Sequence, residues 1–94
     1  MRIRYYRDPV TELPHIYGHE VTQPEVEQAL RRRGEDRAGQ DGSRVAIGRT
    51  LAGRELRVIY VRDPEGDGIF VITAYELRGK PLMAYRRRKR RKPQ

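Results

Sequence analysis

The sequence predicts an α+β fold, in which a small antiparallel sheet carries helices packed on one side. Three observations support this prediction. A strong helix-start signal occurs about a quarter of the way along the chain. Three stretches rich in valine, isoleucine and tyrosine then follow one another, separated by turn residues. Finally, an apolar stretch near the end passes into a basic one, so the expected order is β-α-α-β-β-β-α.

The first part of the chain is predicted to hold one short strand and two helices. Residues 1–6 alternate polar and apolar side chains, as a strand does. A short helix is expected over residues 10–19, where apolar side chains recur at helical spacing. The next helix begins at Thr22, because Thr22 and Glu25 have the spacing of a capping box, and Gly34 is expected to end it.

The middle of the chain is predicted to be a meander of antiparallel strands. The strands are expected over residues 44–50, 55–62 and 69–75, and a polar loop over residues 35–43 precedes them. Residues 63–68 have the composition of a hairpin turn. The middle strand is apolar on both faces, which is typical of a central strand, and Tyr60 is expected in the core.

The last helix is predicted to begin near Leu82 and to lead into seven consecutive basic residues, Arg86 to Lys92. The net charge is +8, and subtracting these seven leaves +1 on the rest of the chain. We therefore divide the chain into one domain over residues 1–85 and a basic helix end and tail over residues 86–94. Clustered cations attract a polyanion because they release condensed counterions together. Such a run is otherwise a solubilising extension or a contact for anionic membranes.

Composition narrows the class of protein. The chain contains no cysteine, so disulfides and thiolate metal ligands are excluded. No apolar run approaches the ~18 residues that a membrane span requires, and the N-terminus lacks the pattern of a signal peptide. We expect a cytoplasmic protein that needs no cofactor and does not associate with membranes.

Three short segments carry a family pattern. The first is His19-Glu20-Val21-Thr22, before the second helix. The second joins residues 45–50, VAIGRT, to residues 53–60, GRELRVIY. The third is Val71-Ile72-Thr73-Ala74. Together they resemble the BrnT family of bacterial toxins, small ribonucleases whose fold is like that of RelE and ParE, and the resemblance extends over roughly residues 3–88.

The resemblance implies a toxin that cleaves RNA. It also implies a cognate antitoxin, expected to be a DNA-binding protein of the ribbon-helix-helix class, which covers the basic cleft. Two positions depart from the family: Tyr75 stands where arginine is usual, and His19-Glu20 where His-Gly is usual. The first departure favours an alternative in which the protein binds RNA, DNA or the ribosome without cleaving.

Cleavage of RNA without a metal ion requires particular kinds of side chain around the phosphate. The 2′-hydroxyl of RNA attacks the adjacent phosphate, so a base, an acid and cations for the growing negative charge are needed. Arginine suits the last task because its planar fork binds two phosphate oxygens and stays charged. The candidate catalytic residues are Arg49, Arg57, Tyr75 and Arg78. Each arginine is otherwise an ordinary solvated surface residue.

The candidates for nucleic-acid binding lie at the end of the chain. They are Tyr85, Arg86, Arg87, Arg88, Lys89, Arg90 and Arg91. Tyr85 is expected to stack a base. Arg86 and Arg87 are expected to belong to the last packed helix and to reach the cleft, whereas the later residues contact a polyanion more generally.

The two histidines, His15 and His19, are four residues apart, which puts two imidazoles on one helix face. A metal site would need further carboxylate ligands, so no metal is predicted and a structural or capping role is preferred. His19 as a general base is the alternative, since its pKa range suits that task. The family resemblance puts this segment at a helix junction, away from the cleft.

Overall fold

A computed structural model describes residues 2–91, so Met1 and residues 92–94, including the last lysine of the basic run, lie outside the described part. The elements are β1 (Ile3–Tyr5), a 3₁₀ helix (His15–His19), α1 (Gln23–Arg31), β2 (Arg33–Ala38), β3 (Arg44–Arg49), β4 (Glu55–Arg62), β5 (Ile69–Glu76) and α2 (Gly79–Arg91). They confirm the α+β class. None of the helices in the described part is long and apolar enough to cross a membrane.

The strands of the described residues form one mixed sheet in the order β1-β5-β4-β3-β2. The meander β2 to β5 is antiparallel, and the predicted strand positions for β3, β4 and β5 are correct to within one residue. The prediction of a wholly antiparallel sheet is wrong, because β1 pairs in parallel with β5. A parallel neighbour needs a long connection, which the rest of the chain between β1 and β5 supplies.

One face of the sheet, here called the covered face, packs against α1 and the 3₁₀ helix. Its core contains Ile16, Val21, Val26, Ala29, Leu30, Ala46, Leu56, Val58, Tyr60, Ile69, Val71 and Ala74. The core position predicted for Tyr60 is confirmed, since only 1% of this residue is exposed. Helix α1 lies directly on β3, because a Cβ built on Gly48 would come 1.8 Å from the carbonyl oxygen of Ala29.

The predicted start of α1 is confirmed and its predicted end is not. Thr22 accepts a hydrogen bond from the Glu25 amide at 3.4 Å, and the Glu25 carboxylate accepts one from the Thr22 amide at 3.0 Å. These reciprocal bonds form the capping box. The helix ends at Arg31, and Gly34 lies within β2 instead of terminating the helix.

The helix predicted over residues 10–19 forms only in its second half. Only His15–His19 are helical, as a 3₁₀ turn that follows Pro14. The amide of Asp8 bonds the carbonyl of Leu13 at 2.9 Å, which closes a tight turn before it. Proline within a helix removes a backbone donor and clashes with the preceding turn, so the helical pattern here could not extend through Pro14.

Strand β2 occupies much of the loop predicted over residues 35–43. Its side chains are mainly charged, so it lacks the apolar alternation that marks a strand. Asp36 holds it in place: Arg33 and Arg44 each donate to its carboxylate at 2.8 Å, and the Tyr60 hydroxyl donates to it as well. Charge pairing takes the role that apolar burial has in the other strands.

Helix α2 packs on the opposite face from α1, which corrects the expectation of helices on one side. Tyr85 is buried against Ile47 and Leu77, in a second small core. Its hydroxyl lies over Gly34, where a Cβ would come 2.1 Å from the oxygen. The helix begins at Gly79 and continues to Arg91, so the boundary predicted between residues 85 and 86 falls inside one continuous element.

Candidate nucleic-acid interface

The face of the sheet opposite α1 is only partly covered, because α2 lies across one end of it. Two cross-strand rows of side chains form this face. One row is Arg37, Val45, Ile59 and Thr73, and the other is Glu35, Ile47, Arg57 and Tyr75. We call the part that α2 leaves uncovered the open face, comprising Arg37, Val45, Arg57, Ile59, Thr73 and Tyr75.

The open face contains a cleft of about 460 Å³. Its floor is the pair Val45 and Ile59, and its charged and aromatic wall is Arg37, Arg57 and Tyr75. A narrower cavity of about 100 Å³ continues from it toward α2 and shares Arg37 and Arg57. Because strands alternate their side chains between faces, Arg37, Arg57 and Tyr75 come together although they are far apart in sequence.

Arg57 lies at the centre of the cleft, on the middle strand of the sheet. Its Nε is buried and has no hydrogen-bond partner among residues 2–91, and no carboxylate of those residues pairs with its guanidinium. A buried donor without a partner is costly, and a guanidinium binds phosphate or carboxylate oxygens two at a time. The position is therefore suited to an anionic ligand.

The other two arginines near the cleft are paired with Glu35. Arg88, on α2, donates to its carboxylate at 2.5 and 3.0 Å, and Arg37 lies 3.5 Å away. The hydrogen bond to Glu35 raises the pKa of Arg88 further, so its charge is fixed. Glu35 thus ties α2 to β2 and competes with any anion that enters the cleft.

Tyr75 connects the cleft to the histidines. It is the cross-strand neighbour of Arg57, and its ring centroid lies 6.0 Å from that of His19. His19 is not among the residues that line the cleft, but it lies next to Tyr75, which does line it. Because β1 ends at Tyr5 while β5 continues to Glu76, the 3₁₀ helix lies beside the second half of β5 and brings His19 to Tyr75.

Two predicted catalytic residues lie elsewhere. Arg49 pairs with the buried carboxylate of Glu55 at 3.2 Å, on the far side of α2. Arg78 is 80% exposed at the side chain and lies 3.5 Å from Glu76, which itself bonds Arg54 toward α1. Of the predicted set, only Arg57 and Tyr75 meet in the cleft.

The predicted binding residues of α2 divide into one buried ring and a set of cations. Tyr85 is buried, so it packs the helix onto the sheet and does not offer a ring to a base. Burial, followed by the charges of Glu55 and Glu35, raises the pKa of its hydroxyl. Within the described part of the basic run, the exposed cations are Arg86, Arg87, Lys89, Arg90 and Arg91.

These cations do not approach the cleft as predicted. Arg86 lies with Arg49, Glu55, Lys89 and Arg90 around a separate cavity of about 270 Å³. Arg88 is the residue of the basic run that lines the cavity beside Arg57. Arg86 and Arg88 line different cavities because side chains two positions apart lie on different sides of a helix.

Arg37 and His19 are the functional candidates that sequence reasoning did not assign to the cleft. Arg37 is predicted to lie in a loop, because residues 33–38 lack the apolar/polar alternation that indicates a strand. His19 carries no local signal, because its approach to Tyr75 depends on how far β5 extends beyond β1.

Comparisons with protein-family models, with curated proteins and with solved structures give no match for this chain. The function is therefore argued from the site. Its defining features are an arginine whose buried Nε has no partner among residues 2–91, an adjacent tyrosine and histidine, and a basic helix at one side.

Proposed function

We propose that the protein binds RNA in the cleft of the open face and cleaves it, as a BrnT-like toxin with a RelE-like fold. One observation carries the proposal: Arg57 sits in the cleft with a buried, unpartnered Nε, directly across the strand pair from Tyr75. A phosphodiester supplies the anionic oxygens that this guanidinium lacks. The exposed cations of α2 contact the flanking phosphates.

The chemistry follows from the groups around Arg57. The 2′-oxygen attacks the adjacent phosphorus, the bond to the 5′-oxygen breaks, and a 2′,3′-cyclic phosphate and a 5′-hydroxyl end form. His19 accepts the proton of the 2′-hydroxyl, and Tyr75 donates one to the leaving 5′-oxygen. Arg57 stabilises the negative charge that builds on the phosphate oxygens. A cognate antitoxin with acidic residues would neutralise the same cations.

A second candidate function is RNA binding without cleavage. Glu35 favours it, because this carboxylate pairs with Arg37 and Arg88 and leaves Arg57 as the cleft arginine for the transition-state charge. Tyr75 in place of the family's usual arginine favours it as well. Both candidates use the same face, so one experiment separates them.

The test measures binding and cleavage of a labelled RNA by the wild type and by Arg57→Ala. We expect about tenfold weaker binding, because a charge-assisted bond to phosphate is lost, and cleavage lower by about 100-fold or more. Arg62→Ala is the matched control, since Arg62 is on the same strand and outside the cleft. Arg49→Ala and Arg78→Ala should have smaller effects, because both arginines pair with carboxylates elsewhere.

Each result has a defined meaning. Binding by the wild type without cleavage selects the second candidate. Binding that Arg57→Ala and Arg62→Ala change equally removes the cleft as the site, and absence of RNA binding by the wild type overturns both functions.

A further inference from the structure

A row of aromatic rings leads away from the cleft toward the edge of the sheet. It begins at Tyr75 and continues through His19 and His15 to Tyr6. Successive ring centroids are 6.0, 5.1 and 5.9 Å apart. Each ring therefore contacts the next, and the row is continuous from the cleft to the end of β1.

Both ends of the row, Tyr75 and Tyr6, project to the same side of the sheet as the cleft. In β1, Ile3 and Tyr5 pack against the core of the covered face. Arg4 and the following Tyr6 therefore project to the other side, because strand side chains alternate. Arg4 confirms this direction, since its guanidinium lies 5.5 Å from the ring centroid of Phe70.

The rings of the row are not core residues. Tyr6 is 42% exposed, His19 is exposed and His15 is half-buried. Below the two imidazoles, a cavity of about 350 Å³ is lined by Leu13, Tyr17 and other residues of the same turn. Large exposed rings beside an open cavity leave ring faces and edges accessible to a planar ligand.

We propose that this aromatic row binds the bases of single-stranded RNA as the strand enters or leaves the cleft. The inference rests on the proposed function of the cleft, whose Arg57 holds the backbone phosphate at one end of the row. Every base has a face that stacks on an aromatic ring, whereas bases inside a duplex are stacked on one another and are not available. The row therefore favours a single strand over a duplex of the same sequence.

Continuity and charge favour RNA over a protein as the occupant. The row begins at a residue of the cleft itself, Tyr75, and its outer residue, Tyr6, lies between Arg4 and Arg7 in the sequence. Arg4 pairs with the carboxylate of Asp63, and Arg7 donates to the backbone carbonyl of Glu12, so both guanidinium groups are held near this end of the sheet. Bases on the rings with phosphates on the arginines reproduce the alternation of a nucleic-acid strand. A protein partner on the same surface is an outcome that the test must distinguish.

The experiment compares binding of a labelled single-stranded RNA with binding of the same strand annealed to its complement, over a series of salt concentrations. The proteins are the wild type, Tyr6→Ala and Tyr6→Leu, with Leu51→Ala as the control, because Leu51 is an exposed apolar residue on a remote turn. The leucine variant keeps apolar volume without a ring, and thermal unfolding verifies that each variant is folded.

We expect the wild type to prefer the single strand and both Tyr6 variants to bind it about tenfold more weakly. Their slope of log affinity against log salt should equal that of the wild type, because no phosphate contact is lost. In Arg57→Ala that slope should fall in magnitude by about 0.7, the change expected for one phosphate contact to a single strand.

Four results would overturn the inference. Equal affinity for single strand and duplex would show that the row does not bind bases, and so would Tyr6 variants that bind RNA like Leu51→Ala. Neither result would affect the proposal that Arg57 binds RNA. A change of oligomeric state in the Tyr6 variants with unchanged RNA affinity identifies the row as a protein contact. If the wild type binds no RNA, the proposed function and this inference both fail.

Discussion

The two faces of the sheet differ in what their side chains do, and β4 contributes to both. On the covered face, Leu56, Val58 and Tyr60 are almost completely buried. On the opposite face, the intervening Arg57 and Ile59 are only partly buried and line the cleft. Adjacent residues of one strand therefore have separate tasks: one set stabilises the fold, and the other is available to a ligand.

The largest expected effect comes from the covered face. Leu56→Ala should lower the free energy of unfolding by about 3 kcal/mol, because it removes a fully buried side chain and leaves a cavity. Ile59→Ala, on the open face of the same strand, should lower it by only about 1 kcal/mol, because less apolar area is lost from burial. Denaturant unfolding of both variants measures the difference. Equal losses would contradict the division of β4 into a structural and a binding side.

The next largest effect is expected at Asp36, whose carboxylate links β2 to the neighbouring strands at the edge of the covered face. Asp36→Asn should lower the free energy of unfolding by about 2 kcal/mol at neutral pH, because charged hydrogen bonds from Arg33, Arg44 and Tyr60 are weakened. Urea unfolding at neutral pH measures the change. An unchanged midpoint would mean that β2 is held mainly by its backbone bonds.

The carboxylate of Asp36 is also expected to make the stability of the protein depend on pH in the acidic range. Burial alone would raise the pKa of Asp36, but hydrogen bonds from Tyr60 and Arg44 and the charges of Arg44 and Arg33 outweigh it, so the pKa lies below its ordinary value of 3.8. Its contribution to stability is complete above that value and is lost as the pH falls through the lower pKa of the folded protein. Asp36→Asn should flatten the fall in stability in this acidic range, and an unaltered profile would assign the fall to other carboxyl groups.

The smallest effect concerns Glu35, the carboxylate that pairs with two arginines beside the cleft. Glu35→Gln should tighten RNA binding about threefold, because the negative charge that neutralises Arg37 and Arg88 beside the cleft is removed. Glu27→Gln is the matched control, since Glu27 pairs weakly with Arg31 on the outer surface of α1. Salt titration of RNA binding measures both. Weaker RNA binding by Glu35→Gln would show that the role of Glu35 in holding α2 in place matters more than its repulsion of the RNA phosphates.

The elements that sequence predicts well are those whose signal is local. The capping box of Thr22 and Glu25 fixes the start of α1 through bonds within one turn. Strands β3, β4 and β5 are marked by apolar residues and by the turns between them, and their bounds differ from prediction by at most one residue. The positions of Arg57 and Tyr75 on the sheet can also be predicted, because both residues lie on strands that are marked by a local apolar pattern.

The features that escape prediction depend on contacts between distant parts of the chain. Strand β2 is held by charge pairs instead of an apolar pattern, so Arg37 could not be assigned to the cleft. The face that α2 covers depends on Tyr85 fitting over Gly34, far earlier in the sequence. Similarly, His19 reaches Tyr75 only because β1 is shorter than the strand it pairs with.

The polarity of β2 has a further consequence for how the protein behaves in concentrated solution. This strand lies at one end of the sheet, where unpaired backbone groups invite another chain to add a strand. It carries the charged residues Arg33, Glu35, Asp36 and Arg37 within six residues. Charged side chains on an edge strand discourage edge-to-edge aggregation. The charged composition that makes β2 hard to recognise in the sequence therefore also hinders the addition of a strand from another molecule.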